Sequence, residues 1–320
     1  MDSLQIGTLL AQDGLTTGAI YALLGMALVL LFSVTRVIFF GQGEFVAFGA
    51  LTLALLQDGR VPGTVWLLLA LSLVAGLLEA VAALRAGSAR RLPRIGLVYV
   101  VLPLALAALV VWTAPRGFPL LAQAALSLAL VTPIGTLLYR LVYQPVADAS
   151  VLVLLIVSVG VHFVLAGFAL LFFGVDGFRT PPFWDGRLEL GSLSFTGQSV
   201  IVLAVTGALI VLLGLGFQRT LYGKALRAAA SNSTGAQLVA ISVPFAGSLS
   251  FTIAAVLGAL CGLLIGPIVT IYYDSGLLIG LKGFVAAIFG GLASYGATLL
   301  GALAIGVVES FASFLASAYK

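Results

Sequence analysis

The sequence predicts an all-α integral membrane protein: a polytopic helical bundle of about 8–10 transmembrane helices with broken or re-entrant segments. Three observations carry this. Mean hydropathy is +1.22 over 320 residues. Charged residues make up only 8%, against ~25% in soluble domains. Apolar runs recur that approach the ~20 residues a helix needs to cross ~30 Å of hydrocarbon.

The runs fall near 15–34, 43–56, 65–84, 97–112, 118–139, 150–173, 198–216, 245–268, 277–292 and 297–316. Before the first, MDSLQIG has no basic region or small-residue cleavage site, so that span reads as an uncleaved signal anchor. The runs at 43–56 and 277–292 are short and Gly-rich, which marks them as the broken or re-entrant segments. Those at 65–84 and 97–112, joined through Arg85, Arg90, Arg91 and Arg94, form a helical hairpin within 58–117. A turn-rich loop, 174–197, holds Asp176, Arg179, Pro181, Pro182, Trp184, Asp185, Arg187 and Glu189. The basic, Ala-rich stretch 217–243 interrupts two long apolar spans and reads as a short amphipathic helix on the cytoplasmic surface, offered to a partner.

The net charge is +4 and the pI near 9.4, but the basic residues form no patch with interleaved aromatics, so nucleic acid is not a partner. They lie instead in alternate connections. Placing 219–227 in the cytoplasm puts Arg36, Arg85, Arg90, Arg91, Arg94 and Arg140 there too, as the positive-inside rule expects. Arg60, Arg116, Arg179 and Arg187 then face outward, with the N-terminus.

One histidine, one cysteine and scattered carboxylates cannot converge into a metal site, and no cofactor is implied. Cys261 lies mid-span and reads as a small packing residue. No phosphate-binding loop occurs. The nearest string, Gly276 to Lys282, has the wrong spacing, so this chain does not hydrolyse ATP. Ser158 and His162 share a helix face, but the nucleophile turn of an intramembrane serine protease is missing. The His is then either bonded to a neighbour's backbone or hydroxyl, or part of a polar path. Glu44 is costly in a bilayer unless it meets a cavity or a donor. Gly41 and Gly43 beside it permit unwound backbone, so Phe39, Gln42, Gly43 and Glu44 could line a polar path; alternatively Glu44 caps the helix that follows. Gly258, Gly262 and Gly266 make a small-residue face for close helix packing.

Several motifs point the same way. GLTTGAIYALLG over 14–25 and SVTRVIFFGQGEF over 33–45 resemble the N-terminal signature of the branched-chain amino acid permease family of ABC importers. Phe39 and Gln42 stand where that pattern has Asn and His. Tyr143-Gln144-Pro145, LFFGVD over 171–176 and LKGFVAAIFGGL over 281–292 resemble later family motifs. The resemblance covers 12–57 and 118–317 and leaves the hairpin at 58–117 as a departure in one transmembrane permease domain spanning 1–320. It implies that 217–243 is a cytoplasmic coupling loop, with Gly223, Lys224, Arg227, Ala228, Ala229, Gly235 and Ile241 meeting an ATPase. It further implies two ATP-binding subunits, a second related permease or second copy, a periplasmic solute-binding protein at the outer loop, and a place in the bacterial inner membrane among its lipids. The solute would be an amino acid, an amide or a small organic acid. An ion-coupled secondary transporter is the alternative; it needs an intramembrane relay, for which Glu44, Glu79, His162, Lys282 and Glu309 are the available ionisable residues.

Overall fold

The computed structural model describes residues 3–190 and 193–318. Helix α1 (Ser3–Thr35) runs through the centre of the bundle. It is apolar on every side because α8 (Gly197–Arg219), α11 (Val243–Ile265), α12 (Ser275–Phe289) and α13 (Tyr295–Ala318) surround it, and Ile20, Leu23, Leu24 and Leu31 are fully buried. It ends where Arg36 adopts a left-handed φ of 60° and donates its N–H to the Phe32 carbonyl at 2.9 Å. From there the chain turns back into the bundle without helical structure and starts α2 (Gln42–Gln57), whose 16 residues reach only about 24 Å.

Helix α3 (Thr64–Arg85) and the continuous helical run Ala89–Arg116 form the hairpin. That run comprises a 3₁₀ turn, α4 (Leu92–Gly96), a π-helical turn and α5 (Leu102–Thr113). The hairpin packs on α6 (Leu120–Leu138) and is joined to α2 by a 2.5 Å hydrogen bond between Thr52 and Thr64. Its outer faces expose Leu73, Leu77, Leu97, Val101 and Leu104, as lipid-facing surface requires.

Helix α6 continues through a π-helical turn, Tyr139–Tyr143. Helix α7 (Val151–Phe173) buries a stripe of Leu154, Ser158, Val161, His162, Leu165 and Ala169. The loop after it carries a feature that the sequence reading did not anticipate, an antiparallel hairpin of β1 (Arg187–Leu190) and β2 (Leu193–Thr196). Strands this short, four residues each, leave too little alternation to read.

Helix α8 (Gly197–Arg219) leads into the polar stretch, which is two helices rather than one. These are α9 (Leu221–Ser231) and α10 (Ser233–Leu238). Each break has its own capping residue: Thr220 accepts from the Gly223 N–H at 3.0 Å and Asn232 from the Gly235 N–H at 2.9 Å. Ser242 then caps α11 (Val243–Ile265). The chain closes with α12 (Ser275–Phe289) and α13 (Tyr295–Ala318). Among the described residues, eight helical segments are long and apolar enough to cross a membrane, and α12 is a shorter apolar one.

Polar groups gather at both ends of the bundle. Arg36 shares a cavity with Asp148 and Asn232, and Arg140 shares one with Arg91 and Arg94. At the other end Gln12 donates to the Ser194 carbonyl and Arg179 to that of Pro267.

Candidate functional site

The short helices α2 and α12 both begin partway along the bundle. The Gln42 side-chain amide donates to the Ala254 carbonyl at 3.0 Å, and Ala254 lies halfway along α11. Gly43 and Gly276, at the two helix starts, touch directly. A Cβ on Gly43 would fall 1.8 Å from the Gly276 oxygen, and one on Gly276 would fall 2.7 Å from the Gly43 oxygen. Helix α2 is approached from the Arg36 end and α12 through the non-helical segment that follows Gly266. Two helix N-termini, each with unsatisfied N–H groups and a partial positive charge, therefore meet at mid-depth.

Glu44 lies at that meeting with 0% exposure. Its Oε1 is 2.9 Å from His162 Nδ1, while Oε2 has no partner among the described residues. Glu44 does not cap α2: Gly41 holds the cap position and no side chain bonds there. Nor is His162 bonded to a backbone group or hydroxyl; its partner is a carboxylate 118 positions away in sequence. Ser158, one turn before His162, donates to the Leu154 carbonyl at 2.9 Å and accepts from the Tyr143 hydroxyl at 3.1 Å. The shared α7 face thus grips two different neighbours.

Below Glu44 is an aromatic plug. Phe39 lies 5.5 Å from Phe45, 5.9 Å from Tyr143 and 5.2 Å from Phe251, measured between ring centres. Gln42 Oε1 is a second buried acceptor without a partner among the described residues. Phe39, Gln42, Gly43, Glu44, Ser158 and His162 consequently form one continuous buried region, to which Tyr143 and Phe251 are additions.

Under the plug opens a cavity of about 340 Å³. Tyr139 and Tyr143 line one side; Ala229 to Ser233 and Gln237, at the junction of α9 and α10, line another. The polar stretch therefore borders the same space as the plug. Its residues divide by face. Gly223 and Ala229 point into the bundle, Ala229 packing in a cluster with Leu30, Val34 and Ala246. Lys224 and Arg227 are exposed, Ala228 and Ile241 partly buried, and Gly235 sits over the Asn232 cap. The surface open to a partner also includes Leu221, Tyr222, Leu238 and Val239.

Gly258 and Gly262 seat α11 against α2: added Cβ atoms would meet Phe45 Cβ at 2.6 Å and the Val46 oxygen at 2.1 Å. Gly266 ends α11 beside Thr180. Lys282 and Glu309, counted from sequence as separate ionisable residues, pair with each other, and Tyr21 donates to Glu309 at 2.9 Å and accepts from Lys282 at 3.2 Å. Tyr21 is near the middle of the Ile6–Thr35 span, yet the Lys282 and Glu309 side chains are 37% and 35% exposed. Charges at that depth ordinarily face protein or water rather than lipid.

Residues 100–320 match the family model described as "Branched-chain amino acid transport system / permease component". The high-affinity branched-chain amino acid transport system permease protein LivH of Escherichia coli (strain K12) is 28% identical over 193 residues, 58% of this chain and 63% of that protein. BraD of Pseudomonas aeruginosa, of the same description, is 28% identical over 198 residues, 60% of this chain and 64% of its own. A probable branched-chain amino acid transport permease protein LivH of Methanocaldococcus jannaschii is 29% identical over 177 residues, 54% and 56% of the two chains. The matched stretch thus spans less than two thirds of the length of these relatives. No solved structure matches the chain. With the family model covering more than half its length, the chain belongs to the permease components of branched-chain amino acid transport systems.

Proposed function

We propose that the chain is the membrane-spanning subunit of an ATP-driven ABC importer in the bacterial inner membrane, carrying a small polar solute through the region around Glu44. One observation carries the reading: a single cavity is walled by both the α9–α10 junction and Tyr143, the plug residue that faces it. A displacement of α9 by an ATPase at the cytoplasmic face would move Ala229 to Ser233 and so reshape the space beneath Tyr143, whose ring packs edge-on against Phe39. Gating at the plug then alternates access to the polar residues above it. Two ATP-binding subunits act at the exposed face of α9 and α10. A solute-binding protein docks at the loop containing β1 and β2, and a second permease, related or identical, packs against the face that bears Lys282 and Glu309. The hairpin at 58–117 is a peripheral addition within one permease domain.

The solute chemistry follows from what is left unpaired. Glu44 Oε2 and Gln42 Oε1 are both acceptors, so the complementary group is a donor, such as the ammonium of an amino acid or the N–H of an amide.

The test is uptake into vesicles by the chain co-expressed with its ATP-binding subunits and solute-binding protein. Uptake is expected to require ATP hydrolysis, and the purified chain alone to hydrolyse none. Uptake without ATP, driven by a proton or sodium gradient, would establish the ion-coupled alternative. Orientation is checked in a Cys261→Ala background. An impermeant thiol reagent outside the cell should label Asp185→Cys but not Ser231→Cys; external labelling of the latter would invert the topology.

A further inference from the structure

Away from the solute path, a cavity of about 650 Å³ opens between α3, the start of the second hairpin helix and the π-helical turn after α6. Three guanidinium groups line it, those of Arg91, Arg94 and Arg140, with Glu79 as the carboxylate. Glu79 is already committed. Its Oε1 accepts from Arg140 Nε at 2.8 Å and Nη2 at 2.5 Å, and the Arg140 guanidinium lies 5.5 Å from the centre of the Tyr99 ring. The side chains of Arg91 and Arg94 make no hydrogen bond or ion pair among the described residues, and both residues are exposed. The remaining wall is apolar: Ala82, Ala83, Ala86, Ile95 and Val98. Just outside it, Leu78, Val81 and Leu84 of α3 and Leu97 and Val101 of the opposite helix turn bare side chains outward.

We propose that this cavity binds an anionic phospholipid of the cytoplasmic leaflet, its phosphate between Arg91 and Arg94 and an acyl chain along the exposed side of the hairpin. The geometry is amphiphilic in the way such a ligand is. Unpaired cations lie at the membrane end of the helices, where an anionic leaflet holds its headgroups, and an apolar wall continues from them toward the hydrocarbon. The Arg140–Glu79 pair fixes the back of the site. A close helix contact sets its width: at Gly76 an added Cβ would meet Tyr99 Cβ at 2.9 Å, so a larger residue would push the second helix away. A free phosphate would use the cations but not the apolar wall, so a lipid is the better match. The inference does not depend on which solute is carried.

Native mass spectrometry of the detergent-purified full chain, titrated with phosphatidylglycerol or with phosphatidylcholine of the same acyl chains, tests it. Phosphatidylglycerol is expected to bind preferentially and inorganic phosphate not to displace it. Arg91→Gln together with Arg94→Gln should weaken binding about 25-fold, at roughly a factor of five for each guanidinium. Arg94→Gln alone should weaken it about five-fold. Arg116→Gln, at the other end of the bundle, should leave binding unchanged. Because Arg91 and Arg94 are exposed and unpaired, the variants should melt with the wild type in lipid-free detergent. Equal retention of phosphatidylcholine, wild-type affinity in the double variant, or displacement by millimolar inorganic phosphate would each overturn the assignment.

Discussion

Gly43→Ala probes the meeting of α2 and α12, on which the site depends. The added methyl would lie 1.8 Å from the Gly276 oxygen, 2.6 Å from the Gly276 carbonyl carbon and 3.0 Å from the Gly280 Cα. The first is about half the ~3.5 Å of ordinary van der Waals contact. All three atoms belong to backbone, so no side-chain rotamer can relieve the clash and one helix must shift against the other. Overpacking of this kind costs about 1–3 kcal/mol, and the absence of any flexible neighbour puts Gly43→Ala at or above the upper end of that range. The control is Gly207→Ala in α8, where an added Cβ meets nothing within 4 Å and the loss of glycine's backbone freedom should stabilise by roughly 0.5–1 kcal/mol. Thermal melts of the detergent-purified variants measure both, and uptake is followed in parallel. Gly43→Ala should melt several degrees low and lose uptake, whereas Gly207→Ala should melt at or above the wild type. A Gly43→Ala protein that melted with the wild type and transported normally would mean that the two helix starts do not touch.

Three further outcomes follow from the same geometry. His162→Ala should cost about 1–3 kcal/mol by leaving Glu44 Oε1 without a hydrogen-bond partner in the bundle, and adding Glu44→Gln should not add its full separate cost; strictly additive melting shifts would deny the pairing. Ala229→Trp should destabilise the isolated chain, because Ala229 is only 3% exposed and packs inward, whereas Arg227→Ala should melt normally and lose transport mainly at high salt, where a rim contact is screened. Wild-type melting of Ala229→Trp would place that face of α9 off the bundle. Gln42→His should change relative uptake of candidate solutes without loss of assembly, read by competition between amino acids and short amides; an unchanged preference at wild-type rates would remove Gln42 from the path.

Much of the fold was legible because a bilayer makes composition decisive. Apolar length identifies a span almost regardless of its neighbours, and the two short Gly-rich runs are the two helices that begin at mid-depth. The extended approach to α2 was less visible, since nothing in VIFFG distinguishes a non-helical apolar segment from a helical one. Its cause is one residue, Arg36, which ends α1 in a left-handed conformation with φ of 60°. Asn, Asp or His more often takes that conformation among non-glycine residues. The amphipathic stretch reads as one helix from its composition; the caps at Thr220, Asn232 and Ser242 divide it, and only packing shows which face is inward. Ala229 and Ala228 are chemically identical and differ in burial because α9 leans on Leu30 and Val34.

The site was legible as a set of residues and not as a set of partners. Periodicity relates positions on one helix, so it could place Ser158 and His162 on a common face of α7. It holds no information about which helix that face meets. Glu44 and His162 each looked costly alone, and both costs have one solution, because the carboxylate and the imidazole lie 2.9 Å apart. The same reasoning applies to Lys282 and Glu309, 27 positions apart, each of which counted as an isolated ionisable residue until α12 and α13 brought them together beside Tyr21. Pairing does not cancel both costs equally. Glu44 and His162 are sealed inside the bundle, whereas about a third of each charged side chain in the second pair remains uncovered. If a second permease packs there as proposed, it or the water between the two would cover that third, and the open pair would then report on assembly where the sealed pair reports on this chain alone.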